Sequence, residues 1–484
     1  MPVAAAGICW HEEVDVGIVG AGACGLAAAN AAAHDDLKVV VWERAKSAGG
    51  TTALSNGMIP GAGSRSQREA GIFESAADFY RDVMARNGSS SDPELTRRLC
   101  ECSASLVEWL MDTHGIELQL VKQIRDPGHT NARLHAPGSR SGVALVEGLL
   151  RSANRRGVKL RLGTPVLQLW AEPDGAVVGV QIKLPKKGPS NVRCGKVIVA
   201  TDGFAAEPTL VAQHCPGVAS LPYAGASTNT GDALRWAADL GAATQHLGAY
   251  HVHAAIAVGS TLLIPWTLIG NGAIMVNQRG QRFVDETASP TSLVEPVLAQ
   301  PGRLAYIVLD ARILRVVTAE DPHFADHVVP RVVRRADELA HLAAQFQIDA
   351  SGLTQTVEAS NGVVEHRVTD AFGRSHFGEA LRPPFYAIRI SPALLTTQGG
   401  VSIDTDARVL RPDGTVVPNL YAGGGAAVGI SGPGSEGYLL GNGLLSALGW
   451  GRIAGAHAAD AIVAARPTTL PVEGVPPTEG GPPA

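Results

Sequence analysis

Three glycines and a glutamate near the start of the chain have the types and spacing needed to hold a dinucleotide. Gly20 can form the sharp turn that ends an apolar run, Gly22 lets the backbone approach a pyrophosphate, and Gly25 lets a following helix pack closely on the preceding strand. Glu43 stands at the end of a second apolar run, where its carboxylate can accept hydrogen bonds from the adenosine ribose. Together these residues predict a dinucleotide-binding turn.

Regular elements must position these residues. The apolar residues 14–19 predict the first strand, the alanine-rich residues 24–33 a helix, and residues 38–42 the second strand of a parallel sheet. The amino end of this helix, at Ala23 and Cys24, would turn free N–H groups and the positive end of its dipole toward the phosphates. Strand, turn, helix, second strand and terminal acid together are far more specific than the glycine pattern alone.

The residues after Glu43 distinguish between two dinucleotides. An NAD-binding domain continues with a crossover helix and a third parallel strand, whereas here Arg44 leads into a loop rich in glycine, threonine and serine. Such a loop suits backbone contacts with a longer cofactor and favours FAD. The loop residues predicted to contact FAD are Gly49, Gly50, Thr51, Thr52, Ser55 and Gly57.

Several further motifs occur in order along nearly the whole chain, at residues 197–204, 231–234, 270–277, 280–286, 384–387, 399–401 and 419–424. With these motifs the chain resembles the flavoprotein family that contains fumarate reductase, succinate dehydrogenase and the 3-ketosteroid dehydrogenases. The resemblance implies an α/β fold, in which a Rossmann-like FAD-binding domain of the glutathione-reductase type carries an inserted α+β cap domain. The implied divisions are residues 1–203 and 384–465 for the FAD-binding domain and 204–383 for the cap. The proline and glycine content of residues 466–484 predicts a disordered tail.

The resemblance places further residues beside the flavin. These are Val166, Thr201, Asp202, Gly203, Gly424, Gly425, Asn442, Gly443 and Leu444. The last three open a helix whose N–H groups can stabilise charge on a reduced flavin. The family has glycine where Asp202 stands, so the sequence does not determine the backbone conformation at this residue. The family usually has an acid or amide where Gly425 stands, so one polar contact with the cofactor is expected to be missing there. Residues 51–57 contain no histidine, the attachment residue of members with covalent flavin, so FAD is expected to bind noncovalently.

Composition and charge argue against several classes of partner. The 484 residues carry a formal net charge of −5 and are 45% hydrophobic, which suits two domains with buried cores but offers no basic surface for nucleic acid or an anionic membrane. No apolar run approaches ~20 residues, and the chain start lacks a basic region ahead of an apolar core. Neither a membrane span nor a signal peptide is therefore predicted, and a cytoplasmic protein is expected.

The six cysteines are scattered, which indicates reduced thiols rather than a disulfide framework. They form neither the Cys-x-x-Cys-His motif of c-type haem nor the cysteine run of an iron–sulfur cluster. No metal site is predicted. The expected partners are a small-molecule substrate and a diffusible electron acceptor.

The chain departs from the fumarate reductases at the substrate site that the resemblance implies. Those enzymes bind a dicarboxylate with arginines and histidines, and they deliver a proton through an arginine fed by acidic residues. Here Pro290 stands in place of the proton-donating arginine, and Trp266 and Ile269 stand in place of the relay. Residues 394–398 lack the substrate histidine. An uncharged or singly charged substrate is therefore expected.

The 3-ketosteroid dehydrogenases resemble the chain more closely, because their segment after the ribose acid also reads Gly-Gly-Thr-Thr-Ala, as residues 49–53 do. Those enzymes remove hydrogens from the carbons α and β to a ring ketone. The reaction requires a hydrogen-bond donor on the carbonyl, a base for the α proton and a flavin to accept hydride. By resemblance, the hydroxyl of Tyr438 and the N–H of Gly441 are the expected carbonyl donors.

The base needs a lowered pKa if it is a tyrosine. Tyr250, at the start of the cap, is the first candidate. His251 and His253 are rivals because histidine titrates nearer neutrality, and Tyr223 is a weaker candidate.

The sequence therefore predicts an FAD-dependent dehydrogenase that desaturates a cyclic ketone, either a 3-ketosteroid or a smaller oxo-acid such as 4-oxocyclohexanecarboxylate. A steroid would need a long apolar channel, whereas an oxo-acid would need one cation, which Arg133 or Arg140 could supply. One alternative is an ene-reductase that runs the hydride step in reverse on a substrate other than a dicarboxylate. The other is a flavin-binding protein that has lost catalysis and has a structural or regulatory role.

Overall fold

The computed structural model describes residues 5, 7–122, 128–366 and 368–466, so the expected disorder of the tail concerns residues outside these ranges, apart from Arg466. The strands are β1 Glu12–Val19, β2 Val39–Trp42, β3 Ile59–Pro60, β4 Gln119–Leu120, β5 Leu134–Ala136, β6 Lys159–Arg161, β7 Val166–Ala171, β8 Val177–Leu184, β9 Gly188–Val199, β10 Thr244–Gln245, β11 Tyr250–Ala257, β12 Ile274–Val276, β13 Ala305–Asp310, β14 Arg334–Ala336, β15 Phe385–Thr397, β16 Gly400–Val401, β17 Arg408–Leu410 and β18 Val416–Ala422.

The α-helices are α1 Ala23–Ala32, α2 Gly50–Ala53, α3 Arg65–Glu69, α4 Ala76–Arg86, α5 Pro93–Asp112, α6 Gly142–Arg155, α7 Pro208–His214, α8 Asp232–Leu240, α9 Thr267–Gly270, α10 Val294–Leu298, α11 Ala311–Glu320, α12 Val329–Val332, α13 Leu339–Phe346, α14 Ala350–His366 and α15 Asn442–Ala465. Short 3-10 turns occur at Pro216–Val218, Pro301–Arg303 and Gly424–Ala426, and a π-helical turn occurs at Phe324–Val328.

The first sheet has the strand order β17-β18-β9-β1-β2-β6, with β7 and β8 forming an antiparallel ribbon beside β9. Its centre is parallel: Ile18 of β1 lies between Val41 of β2 and Ile198 of β9. The inner residues of these strands are buried because helices cover the sheet, which explains their continuous apolar runs. The predicted α/β fold with a Rossmann-like sheet is confirmed.

Helices α1 and α15 pack very closely against each other. A Cβ at Gly455 of α15 would lie 2.2 Å from the carbonyl oxygen of Ala28, and one at Gly451 would lie 2.3 Å from that of Cys24. Because both helices present small residues here, their backbones can approach more closely than leucine-lined helices allow. This contact fixes α1, and with it the glycine turn at its start.

The second sheet is antiparallel, with the order β11-β15-β13-β12 and with β14 also paired to β15. It has its own hydrophobic core, which includes Tyr306, Phe324 and Leu353. A buried ion cluster supports it, since Glu286 pairs with both Arg282 and Arg374. This second unit corresponds to the cap expected from the sequence.

The residues that form the two hydrophobic cores do not follow the domain boundaries predicted from the sequence. β15 pairs with β11 and β13 of the cap sheet, so the chain returns to the first core after about Gly399 rather than at Pro384. Helix α8 lies in residues assigned to the cap, yet Trp236 packs into the first core. Strand β14 separates α12 from α13.

All six cysteines are free thiols. Within residues 7–122, 128–366 and 368–466, no helix combines the length and apolar character required to cross a membrane. In the same part of the chain, no group of three or more His, Cys, Asp or Glu side chains is arranged to hold a metal ion.

Candidate cofactor and active site

A cavity of about 750 Å³ lies between the two cores and is lined by residues of both. Gly20 and Glu43 line it from the first core, and His251, His253 and Trp266 line it from the cap. Its size falls within the range typical of ligand sites, and it follows the carboxyl ends of the parallel strands, where open α/β sheets bind their ligands.

The three glycines of the turn have three different surroundings. Gly20 has a φ of 107°, and a Cβ there would lie 2.3 Å from the carbonyl oxygen of Ala200. At Gly25 a Cβ would lie 1.9 Å from the carbonyl oxygen of Gly20, so helix and turn touch directly. At Gly22 the nearest atoms would be 3.8 Å away, and the residue lines the cavity. Only Gly22 therefore leaves space that a ligand can occupy.

Backbone N–H groups hold the acidic residue at the end of β2. The Glu43 carboxylate accepts from the N–H of Ala21 and from that of Ala45, each at 2.8 Å, and it borders the cavity. Each carboxylate oxygen has a second lone pair that can accept from a ribose hydroxyl. Arg44 also lines the cavity, and it pairs with Asp232 of α8.

The start of α1 borders the cavity. Ala23 donates its N–H to Thr52 Oγ1 at 3.0 Å, which ties the helix to the following loop. Ala23, Cys24 and Thr52 all line the cavity. Burial raises the pKa of the Cys24 thiol to about 12, so it packs as an uncharged side chain.

The loop after Glu43 divides into cavity-lining and supporting residues. Of the loop residues predicted to contact FAD, the cavity is lined by Gly50, Thr51, Thr52 and Ser55. Gly49 and Gly57 lie outside the lining: both have positive φ, and they pack against Ala53 and Pro137, respectively. In this structure Gly49 and Gly57 shape the loop from behind the lining.

The remaining cofactor residues predicted from the sequence also fall into two groups. Val166, Thr201, Asp202, Gly424, Gly425, Gly443 and Leu444 line the cavity. Gly203 does not, because it packs against Thr397, and Asn442 is fully buried behind the lining. The backbone at Asp202 adopts a left-handed conformation, with a φ of 60°.

Two buried hydroxyls fit a polar ligand. Thr201 Oγ1 and Ser446 Oγ have no hydrogen-bond partner among the described residues, and both residues line the cavity. A buried hydroxyl without a partner is costly in a folded protein. Together with Gly22 and the positive dipole ends of α1 and α15, these hydroxyls fit the phosphates and hydroxyls of FAD.

Tyr438 and His251 form a stacked pair beside the cavity. Their ring centroids lie 3.7 Å apart with 12° between the planes, and both side chains line the cavity. Gly441 follows, with a φ of 92° at the amino end of α15. His253 also lines the cavity and contacts the edge of Trp266, with 5.8 Å between centroids.

Both histidines are uncharged at neutral pH. Burial, reinforced by the neighbouring His253, lowers the pKa of His251 to about 3. Burial also lowers the pKa of His253 to about 4, and its Nδ1 accepts from the N–H of Ala255 at 3.1 Å, a bond that needs the unprotonated nitrogen. Neutral imidazoles keep an acceptor nitrogen that can take a proton and an N–H that can bind a carbonyl.

The structure does not bring Tyr250 or Tyr223 to the cavity lining. Tyr250 precedes His251 on β11 and therefore faces the opposite side, where it packs on the cap core. Burial raises the pKa of Tyr223, whose hydroxyl accepts from Asn229 Nδ2 at 2.8 Å. A raised pKa is the reverse of what a tyrosine base requires.

The arginines that could supply a substrate cation, Arg133, Arg140 and Arg86, differ in their surroundings. Arg133 is fully buried and pairs with Glu74 and Asp82, so it is not available as a substrate cation. Arg140 lines the cavity, and burial lowers its pKa. Arg86 was not predicted from the sequence.

Arg86, the last residue of α4, also lines the cavity. Its Nε donates to the carbonyl oxygen of Tyr438 at 3.3 Å, and a terminal nitrogen donates to Ser289 Oγ at 3.4 Å. An arginine in the last turn of a helix is ordinarily explained by the helix dipole, so its position in the chain gives no signal of this role.

Uncharged side chains occupy the positions at which the sequence departs from fumarate reductases. Pro290, Trp266 and Ile269 all line the cavity. So do Thr396 and Gln398, and Gln398 Nε2 donates to Thr396 Oγ1 at 2.8 Å. This part of the cavity can offer hydrogen bonds and apolar contact, but it has no pair of cations for a dicarboxylate among these residues.

Comparison with known proteins agrees with this geometry. A family model described as "FAD binding domain" matches residues 15–439. The NADH:fumarate oxidoreductase of Klebsiella pneumoniae (strain 342) is 32% identical over 455 residues, which cover 93% of this chain and 48% of that protein. The chain thus spans about half the length of this relative.

Two solved structures are also similar. The open conformation of a flavocytochrome c3 fumarate reductase matches with a TM-score of 0.82 and 29% identity, covering 93% of this chain and 79% of that one. A 3-ketosteroid-Δ4-(5α)-dehydrogenase from Rhodococcus jostii RHA1 matches with a TM-score of 0.73 and 26% identity, covering 95% and 99%.

Proposed function

This chain belongs to the FAD-binding flavoprotein family that includes the fumarate reductases and the 3-ketosteroid dehydrogenases, and from that premise we propose that it desaturates a cyclic ketone. It is an FAD-dependent oxidoreductase that acts on CH–CH groups. The observation that carries the finer proposal is the stacked pair of Tyr438 and the neutral His251 at the cavity wall, with Pro290, Trp266 and Ile269 at the positions where fumarate reductases place their proton-donating and relay residues.

Each step of the proposed reaction has a residue that can perform it. The Tyr438 hydroxyl and the Gly441 N–H donate to the ketone oxygen, which acidifies the α proton. His251 is the residue that can take that proton, because its neutral ring keeps one nitrogen unprotonated at the cavity wall. Its pKa of about 3 makes it a weak base, so the reaction depends on the carbonyl donors to acidify the α proton. His253 is the weaker alternative, because its Nδ1 already accepts from the N–H of Ala255. The chemistry supplied by FAD, once bound, is acceptance of the hydride from the β carbon.

Anaerobic mixing with a panel of saturated cyclic ketones tests this proposal. We expect one class of ketone to bleach the absorbance of the oxidised flavin in a single turnover, because desaturation leaves both electrons on the flavin. Fumarate, succinate and an acyclic ketone serve as controls. Rapid consumption of fumarate would contradict the proposal.

The same panel distinguishes the alternatives. An ene-reductase is favoured by the reductase names of two of the similar proteins. It would leave the oxidised flavin yellow with every saturated ketone, whereas viologen-reduced enzyme would be reoxidised by an unsaturated ketone. Flavin that responds to neither treatment would favour a protein without catalysis.

Arg86 provides a test of the substrate's charge. We expect Arg86→Met to raise the KM for 4-oxocyclohexanecarboxylate about 10- to 100-fold, because a hydrogen bond to a charged group contributes roughly 1.5–3 kcal/mol. The KM for the uncharged 4-methylcyclohexanone should change far less. Steady-state kinetics on both ketones measures the difference.

Arg81→Met is the matched control, since Arg81 lies on the same helix but pairs with Asp78 at the surface. An equal loss on both ketones would mean that Arg86 only supports Tyr438 through the hydrogen bond to its backbone. A steroid would then become the better-supported substrate class.

A further inference from the structure

Asp202 is an unusual residue for its position at the end of β9. Its φ of 60° lies in the left-handed region, which asparagine and aspartate tolerate better than most side chains. Its Oδ1 accepts from the N–H of Gly203 at 2.9 Å, and its Oδ2 accepts from Asn229 Nδ2 at 2.8 Å. These bonds hold the carboxylate in one orientation at the cavity wall.

The carboxylate occupies a volume that Gly425 leaves empty. A Cβ at Gly425 would lie 2.2 Å from Asp202 Oδ1 and 2.9 Å from the N–H nitrogen of Gly203. Gly424 has a positive φ and Gly425 does not, so glycine at 425 is required for space and not for backbone conformation. A side chain at 425 and a carboxylate at 202 therefore exclude each other.

The Asp202 carboxylate also connects three segments that meet at the cavity. The Asn229 amide lies 2.8 Å from Thr51 Oγ1, in the loop after Glu43, as well as from Asp202. The same amide lies 2.8 Å from the hydroxyl of Tyr223. Thr51, Asp202, Asn229 and Gly425 all line the cavity. This arrangement positions an acceptor for a ligand and does not merely close a turn.

We propose that Asp202 is a flavin-positioning residue whose carboxylate, in the volume opened by Gly425, accepts a hydrogen bond from a hydroxyl of the FAD ribityl chain. The proposal rests on FAD as the cofactor and is independent of the substrate. A fixed carboxylate repels the phosphates, so the part of FAD that suits it is one that donates hydrogen bonds. Each carboxylate oxygen has one lone pair in addition to the one used by its protein donor.

A comparison of flavin analogues tests the contact. We expect Asp202→Asn to weaken FAD binding to the apoprotein about tenfold or more, because an amide replaces a charged acceptor. The same substitution should cause no further loss for one of three analogues, each of which lacks one ribityl hydroxyl. Flavin fluorescence titration gives the dissociation constants.

Equal loss for FAD and for all three analogues would assign Asp202 a purely structural role and overturn the proposal. An unchanged dissociation constant for FAD would overturn it as well. Unfolding curves of the two apoproteins, recorded alongside, show whether the amide has disturbed the fold.

Relocating the carboxylate provides a second test. Asp202→Gly should weaken FAD binding, and Gly425→Asp alone should weaken it too, because two carboxylates then compete for one volume. The double variant Asp202→Gly/Gly425→Asp should bind FAD several-fold more tightly than either single variant. If the double variant is no better than Asp202→Gly, position 425 cannot substitute for position 202 and the proposed shared volume is wrong.

Discussion

Tyr438→Phe is expected to lower kcat by at least ~100-fold while FAD stays bound. Tyr438 lines the cavity and its ring stacks on His251, so phenylalanine keeps the stacked ring and removes the hydroxyl. Loss of one donor aimed at a developing oxyanion typically costs about 10²–10³ in kcat. Single-turnover bleaching with the best ketone of the panel measures the chemical step directly.

Tyr250→Phe is the matched control. Tyr250 lies one residue from His251 on β11, but it packs on the cap core away from the cavity, so its loss should leave the bleaching rate near that of the wild type. An unchanged rate for Tyr438→Phe would remove Tyr438 from the reaction. A large loss for Tyr250→Phe alone would return the role of base to the residue that the sequence put first.

The FAD-binding half of the fold could be predicted because its signals are local. A strand, a glycine turn and a helix follow one another within residues 12–32, and each signal depends only on its neighbours in the chain. The return from the cap could not be predicted in this way. β15 belongs to the cap because Leu309 pairs with Tyr386, a contact between residues far apart in sequence that no local pattern encodes.

The positions of side chains in the candidate site could not be predicted from local patterns either. Tyr250 and His251 are adjacent, and a strand presents them to opposite faces. The sequence does not say which face borders the cavity. Arg133, a candidate cation on sequence, is paired with Glu74 and Asp82, whereas Arg86 lines the cavity because α4 ends there.

Two departures from the family pattern illustrate why residues must be considered in pairs. Considered separately, Asp202 is an acid where the family has glycine, and Gly425 lacks the polar side chain that the family usually has. In three dimensions the side chain of the first occupies the space left by the second. A single sequence does not reveal that Asp202 and Gly425 are neighbours. Because they are, the two departures can be explained together as the proposed move of a carboxylate from position 425 to position 202.

A pair of alanine substitutions should separate the two roles of glycine in the turn. Gly22→Ala should leave the unfolding free energy of the apoprotein within about 1 kcal/mol of the wild type, because its Cβ would meet only ordinary contacts at 3.8 Å and its φ of −81° suits alanine. FAD binding should nevertheless weaken at least ~10-fold, since the methyl group would face the cavity where the pyrophosphate must approach.

Gly25→Ala should have the opposite profile. Helix propensity alone would stabilise the apoprotein by about 1 kcal/mol, but the new Cβ would lie 1.9 Å from the backbone oxygen of Gly20, which cannot move without opening the turn. Overpacking of this kind costs about 3 kcal/mol, so the apoprotein itself should be destabilised. Urea unfolding and FAD titration of both variants check the contrast. If Gly22→Ala destabilised the apoprotein as much as Gly25→Ala, the space beside Gly22 would be needed for folding, and the assignment of the pyrophosphate to that space would lose its support.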